Sequence, residues 1–288
     1  FEIANEYNSE VILDAQYRPT SREHQMMYVF LPPTLGGYSQ LSPLQELVDS
    51  YIMLDGKTIK ETGTSFDESH PYANRDPRLK ATVMYTGNSY TLADGTEVVI
   101  NCEKGEGKDG YGVGSDCSAT GYYIKKYWDN TYRATLYSGL NPILIRYADI
   151  LLMYAEVENA LQRDDEAQWA LNEVRGRVDL DPVTSTGTQL RDAIRLERRL
   201  ELALENNRLF DLRRWKDDNA KPAICNVMGK DGTFVKYNLT YSDSYESKNQ
   251  KENSNKGINF KEGRDELFPI PTTEVTMSNG SIQQNPGY

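Results

Sequence analysis

Apolar residues recur at helical spacing in three consecutive stretches in the second half of the chain. This periodicity predicts helices over residues 142–162, 164–178 and 187–209. Asn141-Pro142 is a helix start, because Asn is a favoured N-cap and Pro suits the first helical position. The first two helices are joined by a short turn, and small residues face large ones across them. This arrangement is typical of tetratricopeptide hairpins.

The third stretch places acidic side chains on an otherwise apolar helix face. Glu197, Glu201 and Glu205 recur every four residues, on the face that begins with Leu190 and Ile194. Carboxylates on such a face must be paired, or their desolvation is costly. We therefore expect a half-buried ion network. The expected donors are the arginines of the same stretch: Arg198, Arg199, Arg208, Arg213 and Arg214.

Periodicity is weaker outside the helical stretches. A short helix is predicted to start at Ser42–Glu46, a glycine-rich loop over 101–118, and a long polar surface loop over 242–263. Alternating or β-branched runs predict five strands, at Ser9–Tyr17, His24–Leu31, Leu79–Tyr85, Thr96–Ile100 and Tyr122–Tyr127.

After the polar loop over 242–263, an extended segment is predicted at Glu266–Pro271 and a short helix from Thr272. The fold class is mainly α (α+β), with tetratricopeptide-like helical hairpins, a loop-rich region and a few short strands. We expect one domain, 1–288. It divides into a loop-rich ligand region over 1–140, a helical scaffold over 141–218 and a loop-rich C-terminal wrap over 219–288.

Composition narrows the class of partner. The 288 residues carry a net charge of −11, which argues against nucleic acid and anionic membrane surfaces, since both attract basic faces. No apolar run approaches the roughly 20 residues that span a bilayer. The chain begins at Phe1 with no signal peptide and no lipidated N-terminal Cys, so we expect a mature or truncated piece.

Cysteine and histidine give few chemical candidates. Cys102 and Cys117 flank the glycine-rich loop, where they are either a local disulfide or free thiols, and Cys225 is left over. The two histidines, His24 and His70, have no cysteine or carboxylate at ligand spacing, so no zinc site is predicted. The sequence leaves open whether loop carboxylates form a surface Ca²⁺ site.

The charged helix also carries a candidate pair of catalytic carboxylates. Glu197 and Glu201 lie one turn apart and could approach the separation of about 5–9.5 Å used by glycoside hydrolases. Neighbouring arginines would keep both carboxylates ionised, and neither could then act as the acid. The glycines at 105, 107 and 110 match G-x-G-x-x-G, but no helix follows them. We therefore predict a structural ion network, no catalytic residue and no cofactor.

Aromatic residues in loops are the candidates for ligand binding, because a ring can stack on the apolar face of a sugar. For each of them the alternative, which stays open, is that the ring has a purely structural role or is merely exposed. Trp128 beside Asp129 and Asn130 is a similar candidate, whereas Trp169 and Trp215 lie on predicted helices and are expected in the core. The predicted ligand residues are Tyr38 in a Gly-Gly turn, Tyr72 with the polar Asn74 and Arg75, Tyr90, and Tyr111 in the glycine-rich loop.

Several stretches are similar to the RagB/SusD family of Bacteroidetes outer-membrane lipoproteins. They are NPILIRYADILLMYAEVENAL, ALNEVRGRVDL, LRDAIRLERRLELALENNRLFDLRRW and the ending LFPIPTTEV…IQQNPGY. Upstream, PLQELVDSYIMLDGKTI, DPRLKATVMYTG and GYYIKKYW follow the order of that family. The chain resembles the C-terminal half or so of such a protein. It lacks the lipoprotein signal and the N-terminal helical half.

The resemblance implies a protein that is tethered to the cell surface by lipid and caps a SusC-like TonB-dependent transporter of the outer membrane. Such proteins capture glycans, or in some branches peptides, without catalysis. The implied function is therefore a glycan-binding accessory protein whose partners are a glycan and the transporter. A peptide-binding relative, a glycoside hydrolase using Glu197 and Glu201, and a plain repeat scaffold that binds only protein are the alternatives.

Overall fold

The computed structural model describes residues 1–130, 137–227, 234–238 and 252–288, the strands at 234–238 and 252–259 by their backbone alone. The chain divides into two compact units. The first comprises Phe1–Glu205 with Asn238–Lys251, and the second comprises Asn206–Tyr237 with Glu252–Tyr288. The predicted three-part division of a single domain stays a prediction.

Three helices form the scaffold of the first unit: α4 (Tyr147–Ala160), α5 (Asp164–Gly176) and α6 (Gly187–Glu201). α4 and α5 form a hairpin, and both pack on α6. Alanines face leucines across these contacts, which lets the helices approach closely. Their shared core comprises Ala148, Leu151, Leu152, Ala155, Ala167, Ala170, Leu171, Val174, Leu190, Ile194 and Leu202. The mainly helical fold class with helical hairpins is thus confirmed.

The start of the first long helix was predicted wrongly. Ile143–Arg146 is a strand, β6, which pairs antiparallel with β1 (Val11–Asp14), and α4 begins only at Tyr147. The side chain of Asn141 does not cap a helix. It accepts a hydrogen bond from the Tyr17 backbone N–H at 2.7 Å and donates to Asp14 at 3.0 Å. Strand pairing with a distant segment therefore overrides the local Asn-Pro signal.

The charged helix is shorter than predicted. α6 ends at Glu201 rather than at 209, and both Leu204 and Asn206 adopt a left-handed backbone conformation with φ of 66°. Few non-glycine residues adopt this conformation, and no helix continues through it. The freed carbonyls of Glu201 and Ala203 accept hydrogen bonds from the Lys126 ammonium at 3.0 and 3.1 Å. This turn places Glu205 outside the helix.

Short helices and two small antiparallel ribbons make up the region before β6. The helices are α1 (Met26–Phe30), α2 (Gln45–Ser50) and α3 (Pro77–Thr82). Strand β2 (Val83–Met84) pairs with β5 (Tyr123–Ile124), and β3 (Ser89–Thr91) pairs with β4 (Glu97–Val99).

Two of the predicted strands in this region are wrong. The expected strand at His24–Leu31 contains α1, and most of the expected strand at Leu79–Tyr85 belongs to α3. The start of α3 had a readable signal, because Asp76 is its N-cap and accepts from the Arg78 backbone N–H, and Pro77 occupies the first position. The expected strands at 96–100 and 122–127 exist in shortened form.

Buried apolar side chains give this loop-rich region its own cores. One core joins α1 to the two ribbons, through Met27, Phe30, Leu31, Met84, Tyr90, Ile100, Cys102 and Tyr123 among others. A second joins α2 and α3 to α6, through Val48, Tyr51, Leu79, Val83, Tyr122 and Leu200. The loops before β6 are therefore anchored to the helical scaffold.

The second unit contains three helices and one ribbon among its described residues. They are α7 (Asn207–Arg214), α8 (Ile224–Val227), α9 (Thr272–Met277), and the paired strands β7 (Phe234–Asn238) and β8 (Glu252–Asn259). The helix expected at Thr272 is confirmed. The loop expected over 242–263 is wrong where β8 lies, and its residues 242–251 fall outside the described residues.

Within the described ranges, no helix has the length and apolar character needed to cross a bilayer.

Candidate functional site

The acidic side chains of α6 belong to a buried ion network. Glu197 is 1% exposed, and the side chains of Glu201 and Glu205 are buried as well. Five cations and five carboxylates compose the network, all in the first unit. They are Arg78, Lys126, Arg146, Arg175 and Arg177 with Glu10, Asp76, Glu197, Glu201 and Glu205.

Arg78 connects α3 to α6. Its Nε and Nη2 donate to the Asp76 carboxylate at 3.0 and 2.7 Å, and its Nη1 donates to Glu197 and, at 2.9 Å, to Glu201. Burial disfavours the charge of Arg78. The Glu197 and Asp76 carboxylates outweigh burial and raise the pKa of Arg78 above its ordinary value.

Arg146 uses all five of its N–H donors. Its Nε and Nη2 donate hydrogen bonds to the two carboxylate oxygens of Glu205 at 2.7 and 2.9 Å. Its Nη1 donates to Glu201 at 2.7 Å and to Glu10 at 3.0 Å, and Nη2 also donates to the Glu201 carbonyl at 2.8 Å. The end of β6 and the end of α6 are therefore fixed to each other.

These donors correct the sequence-based expectation. Each of the network cations lies outside the charged stretch, at positions from 78 to 177. Of the arginines predicted as donors, Arg198 donates to Asp149 of α4 at 2.9 Å, and Arg199 donates to the Glu46 carbonyl of α2 at 3.0 Å. In the second unit, Arg214 pairs with Asp211, Arg213 donates to the Asp265 carbonyl, and Arg208 lies over the Trp215 ring.

The network keeps the Glu201 carboxylate ionised. Burial alone would raise the pKa of Glu201, but Arg146, Arg177 and Arg78 outweigh burial and lower it to about 2. A glycoside hydrolase needs one carboxylic acid that still carries its proton near neutral pH. Glu201 does not meet that requirement.

Tyr38 is the predicted ligand residue whose ring the structure exposes most clearly. Tyr38 is 38% exposed, and the centroid of its ring lies 4.2 Å from that of Tyr28, with an angle of 32° between the ring planes. The neighbouring Tyr38 hydroxyl raises the pKa of Tyr28, and Tyr137 and Asp116 lie close enough to add to that shift. We name Tyr28, Tyr38 and the exposed Tyr137 the tyrosine cluster. Sequence reasoning missed Tyr28 and Tyr137.

The segment around Tyr72 is mostly occupied by internal contacts. The half-buried Tyr72 ring stacks on Tyr85 with centroids 3.9 Å apart. The guanidinium of Arg75 is buried and donates to the carbonyls of Val48, Tyr51 and Pro71 at 2.6 to 3.1 Å. Arg75 is thus not the available donor that was expected, whereas Asn74 is exposed in a left-handed conformation.

Two further expectations concern the ribbon β3–β4 and the glycine-rich loop. The expectation of an exposed Tyr90 ring is wrong, since it is 7% exposed and its hydroxyl donates to Asn88 at 2.9 Å. Tyr111 is half-buried. Cys102 and Cys117 are free thiols here. The roles of Tyr38, Tyr72, Asn74, Arg75, Tyr90 and Tyr111 in ligand binding stay predictions.

The two tryptophans expected in the core differ. Trp215 is buried as predicted, whereas Trp169 is 52% exposed and contacts Tyr154 edge to face. Among the described residues, no three His, Cys, Asp or Glu side chains converge in a way that would hold a metal ion.

Two cavities of the first unit meet at Glu2, Lys125 and Trp128, which line both. One, of about 540 Å³, borders the ion network at Arg78, Lys126, Arg146, Arg177 and Glu201. We name it the basic cavity. The other, of about 610 Å³, is lined by neutral polar and aromatic residues that include Ser89, Tyr90, Thr91 and Asn130, together with Asp129. The sequence marked Trp128, Asp129 and Asn130 as a candidate group but missed the adjoining cations.

Comparisons with known proteins agree with this architecture. The family model described as the SusD family matches residues 1–288. Two SusD-like proteins of Bacteroides fragilis are each 26% identical to the chain. One aligns with a TM-score of 0.74 over 99% of this chain and 55% of its own, and the other, described as carbohydrate binding, with 0.75 over 94% and 54%.

Curated relatives point the same way. SusD-like protein P2 of Formosa agariphila is 27% identical over 249 residues, which cover 79% of this chain and 43% of that protein. SusD-like protein P38 of the same organism is 41% identical over 83 residues, which cover 25% of this chain and 16% of that protein. The chain thus spans about half the length of the solved relatives and less of the curated ones. The resemblance noted in the sequence is confirmed, and the chain belongs to the SusD family.

Proposed function

We propose that this protein is a non-catalytic, glycan-binding accessory of the cell surface. It captures an oligo- or polysaccharide for a SusC-like TonB-dependent transporter in the outer membrane. A lipid anchor would attach the protein to that membrane. Membership of the SusD family and the carbohydrate-binding description of one solved relative support this proposal. The structural observation that carries it is the tyrosine cluster, in which Tyr38 and Tyr137 are exposed and Tyr28 is half-buried.

The tyrosine cluster has the properties that a sugar platform needs. Tyr28 and Tyr38 present adjacent rings, and each ring combines a flat apolar face with a hydroxyl that can bond a sugar hydroxyl. Tyrosine has only two side-chain torsions, and contact between the two rings restricts them further. Binding therefore costs little conformational entropy. The other predicted residues, among them the exposed Asn74, are secondary candidates.

One alternative, glycoside hydrolysis, is weaker on physical grounds. Hydrolysis by Glu197 and Glu201 needs a protonated carboxyl, and the arginines around Glu201 lower its pKa to about 2. A peptide ligand would also suit exposed tyrosines. The same binding measurement distinguishes it, because a peptide binder would take extended peptides and no oligosaccharide.

Calorimetric titration with a panel of neutral and acidic oligosaccharides and extended peptides tests the proposal. We expect saccharide binding in the wild type and a loss of about tenfold or more in Tyr38→Ala and Tyr28→Ala, in line with a lost aromatic anchor. Tyr147→Ala is the matched control, because Tyr147 is exposed on α4 and outside the cluster. Equal losses in all three variants, or binding of peptides alone, would contradict it. Co-purification with the transporter tests the partner.

A further inference from the structure

The cations that line the basic cavity differ in how they are paired. Five cationic side chains line it, Arg78, Lys125, Lys126, Arg146 and Arg177, and all of them except Lys125 form ion pairs with carboxylates of the network. Glu201, which also lines the cavity, is paired with three arginines, and Glu2 is exposed to solvent, where its field is screened.

Lys125 is the cation of the basic cavity that is not part of the ion network. Among the described residues, no carboxylate forms an ion pair with its ammonium, which lies over the ring of the buried Tyr90, 5.5 Å from the centroid. By contrast, its neighbour Lys126 donates to Glu205 and to two carbonyls. The Lys125 side chain is half-buried, and its pKa is lowered by burial and by the nearby Lys80, which together outweigh the opposing effect of Glu2. A partly buried cation that forms no ion pair gains from a bound anion.

Trp128 supplies an aromatic surface next to this ammonium. Its half-buried ring lines both cavities, as Lys125 does, and the ring of Tyr90 packs against it edge to face at 5.1 Å. That contact restricts the orientation of the indole ring. Ser89, Thr91 and Asn130 add hydroxyl and amide groups along the second cavity. A cation, a fixed aromatic ring and neutral polar groups therefore follow one another in adjoining cavities.

We infer that the adjoining cavities bind an acidic sugar. Its carboxylate or sulfate lies in the basic cavity against Lys125, and its ring stacks on Trp128. This inference rests on the proposed glycan-binding function and specifies the ligand class. It also assigns a site distinct from the tyrosine cluster, none of whose residues lines either cavity.

The test compares acidic oligosaccharides with neutral forms of the same linkage. Calorimetry is performed on the full chain with trimers of galacturonate, glucuronate and mannuronate, each beside its carboxyl-reduced form, and with a sulfated galactose trimer beside its desulfated form. We expect at least one acidic trimer to bind about tenfold or more tightly than its neutral form, since a charge-assisted hydrogen bond is lost on reduction. The carboxylate and sulfate arms identify the acidic group.

Three variants assign that preference to Lys125. Lys125→Gln should abolish the preference for the acidic trimer, whereas Lys125→Arg should keep it. Lys60→Gln is the matched control, because it removes one positive charge at an exposed lysine that lines neither cavity. Thermal melts of all three variants show whether the fold is retained. A preference that survives in Lys125→Gln would overturn the inference.

The remaining outcomes are also decisive. Acidic and neutral trimers that bind equally well would overturn the inference and leave the proposed glycan-binding function standing. No binding of any saccharide would overturn both. Competition by inorganic sulfate as strong as by the acidic trimer would reduce the site to a simple anion site and overturn the assignment to a sugar.

Discussion

The ion network and the rim of the basic cavity, where Lys125 lies, both contain cationic side chains. They differ in whether those cations are paired with carboxylates. In the network, five cations face five carboxylates, and Arg146 has every donor engaged. At the rim, Lys125 lies against an aromatic ring with no ion pair to a described carboxylate. The density of charged residues therefore does not identify a binding site in this chain. Whether a charged side chain already has an ion-pair partner within the protein distinguishes a structural role from a ligand-binding one.

The largest expected effect comes from removing a fully paired, buried charge. Glu201→Ala leaves Arg78, Arg146 and Arg177 short of an acceptor, and we expect it to lower the free energy of unfolding by about 3–5 kcal/mol. Urea denaturation measures this change. Glu173→Ala on α5 is the control, because Glu173 is exposed, and it should change stability by less than about 0.5 kcal/mol. Similar values for the two variants would remove the distinction between paired and unpaired charge.

A somewhat smaller effect should follow from acid. The pKa of Glu201 is about 2 in the folded protein and 4.5 in its ordinary state, so its contribution to stability is complete above pH 4.5. That contribution, about 3 kcal/mol from the shift, is lost as the pH falls toward 2. Denaturation of wild type and Glu201→Gln between pH 6 and 2.5 should therefore give curves that converge in acid. Parallel curves would show that Glu201 does not titrate as described.

The smallest effect should come from the edge of the network. Arg177 is 43% exposed, and it shares the Glu201 carboxylate with two better buried arginines. Arg177→Gln should cost less than about 1 kcal/mol, as for exposed ion pairs. The same urea titration measures it. A loss as large as that of Glu201→Ala would mean that pairing alone, without burial, determines the energetic weight of a charge here.

The periodic features of the fold were predictable from the sequence, and the non-local ones were not. The helical hairpin follows from apolar spacing, and the need to pair Glu197 and Glu201 follows from their place on an apolar face. Their partners did not follow, because Arg78 and Arg146 come from segments with no periodic relation to α6. Strand β6 was missed for the same reason, since it depends on pairing with β1.

The candidate site was only partly predictable. The Gly-Gly turn correctly indicated that the ring of Tyr38 is exposed. Tyr28 was missed, because it lies in an apolar run that was interpreted as a strand and is the helix α1. Lys125 and Lys126 are adjacent and look equivalent in the sequence. Only the positions of Glu205 and Tyr90 distinguish the paired lysine from the unpaired one.

Arg146 also has a consequence for the order in which the chain folds. Its carboxylate partners lie 55, 59 and 136 residues away in the sequence, so each of its ion pairs closes a long loop. Such contacts cost the most chain entropy before they return any energy, and they form after local helices and ribbons. Interactions that form late act mainly on the unfolding rate. The ion network therefore prolongs the lifetime of the folded first unit more than it speeds its formation.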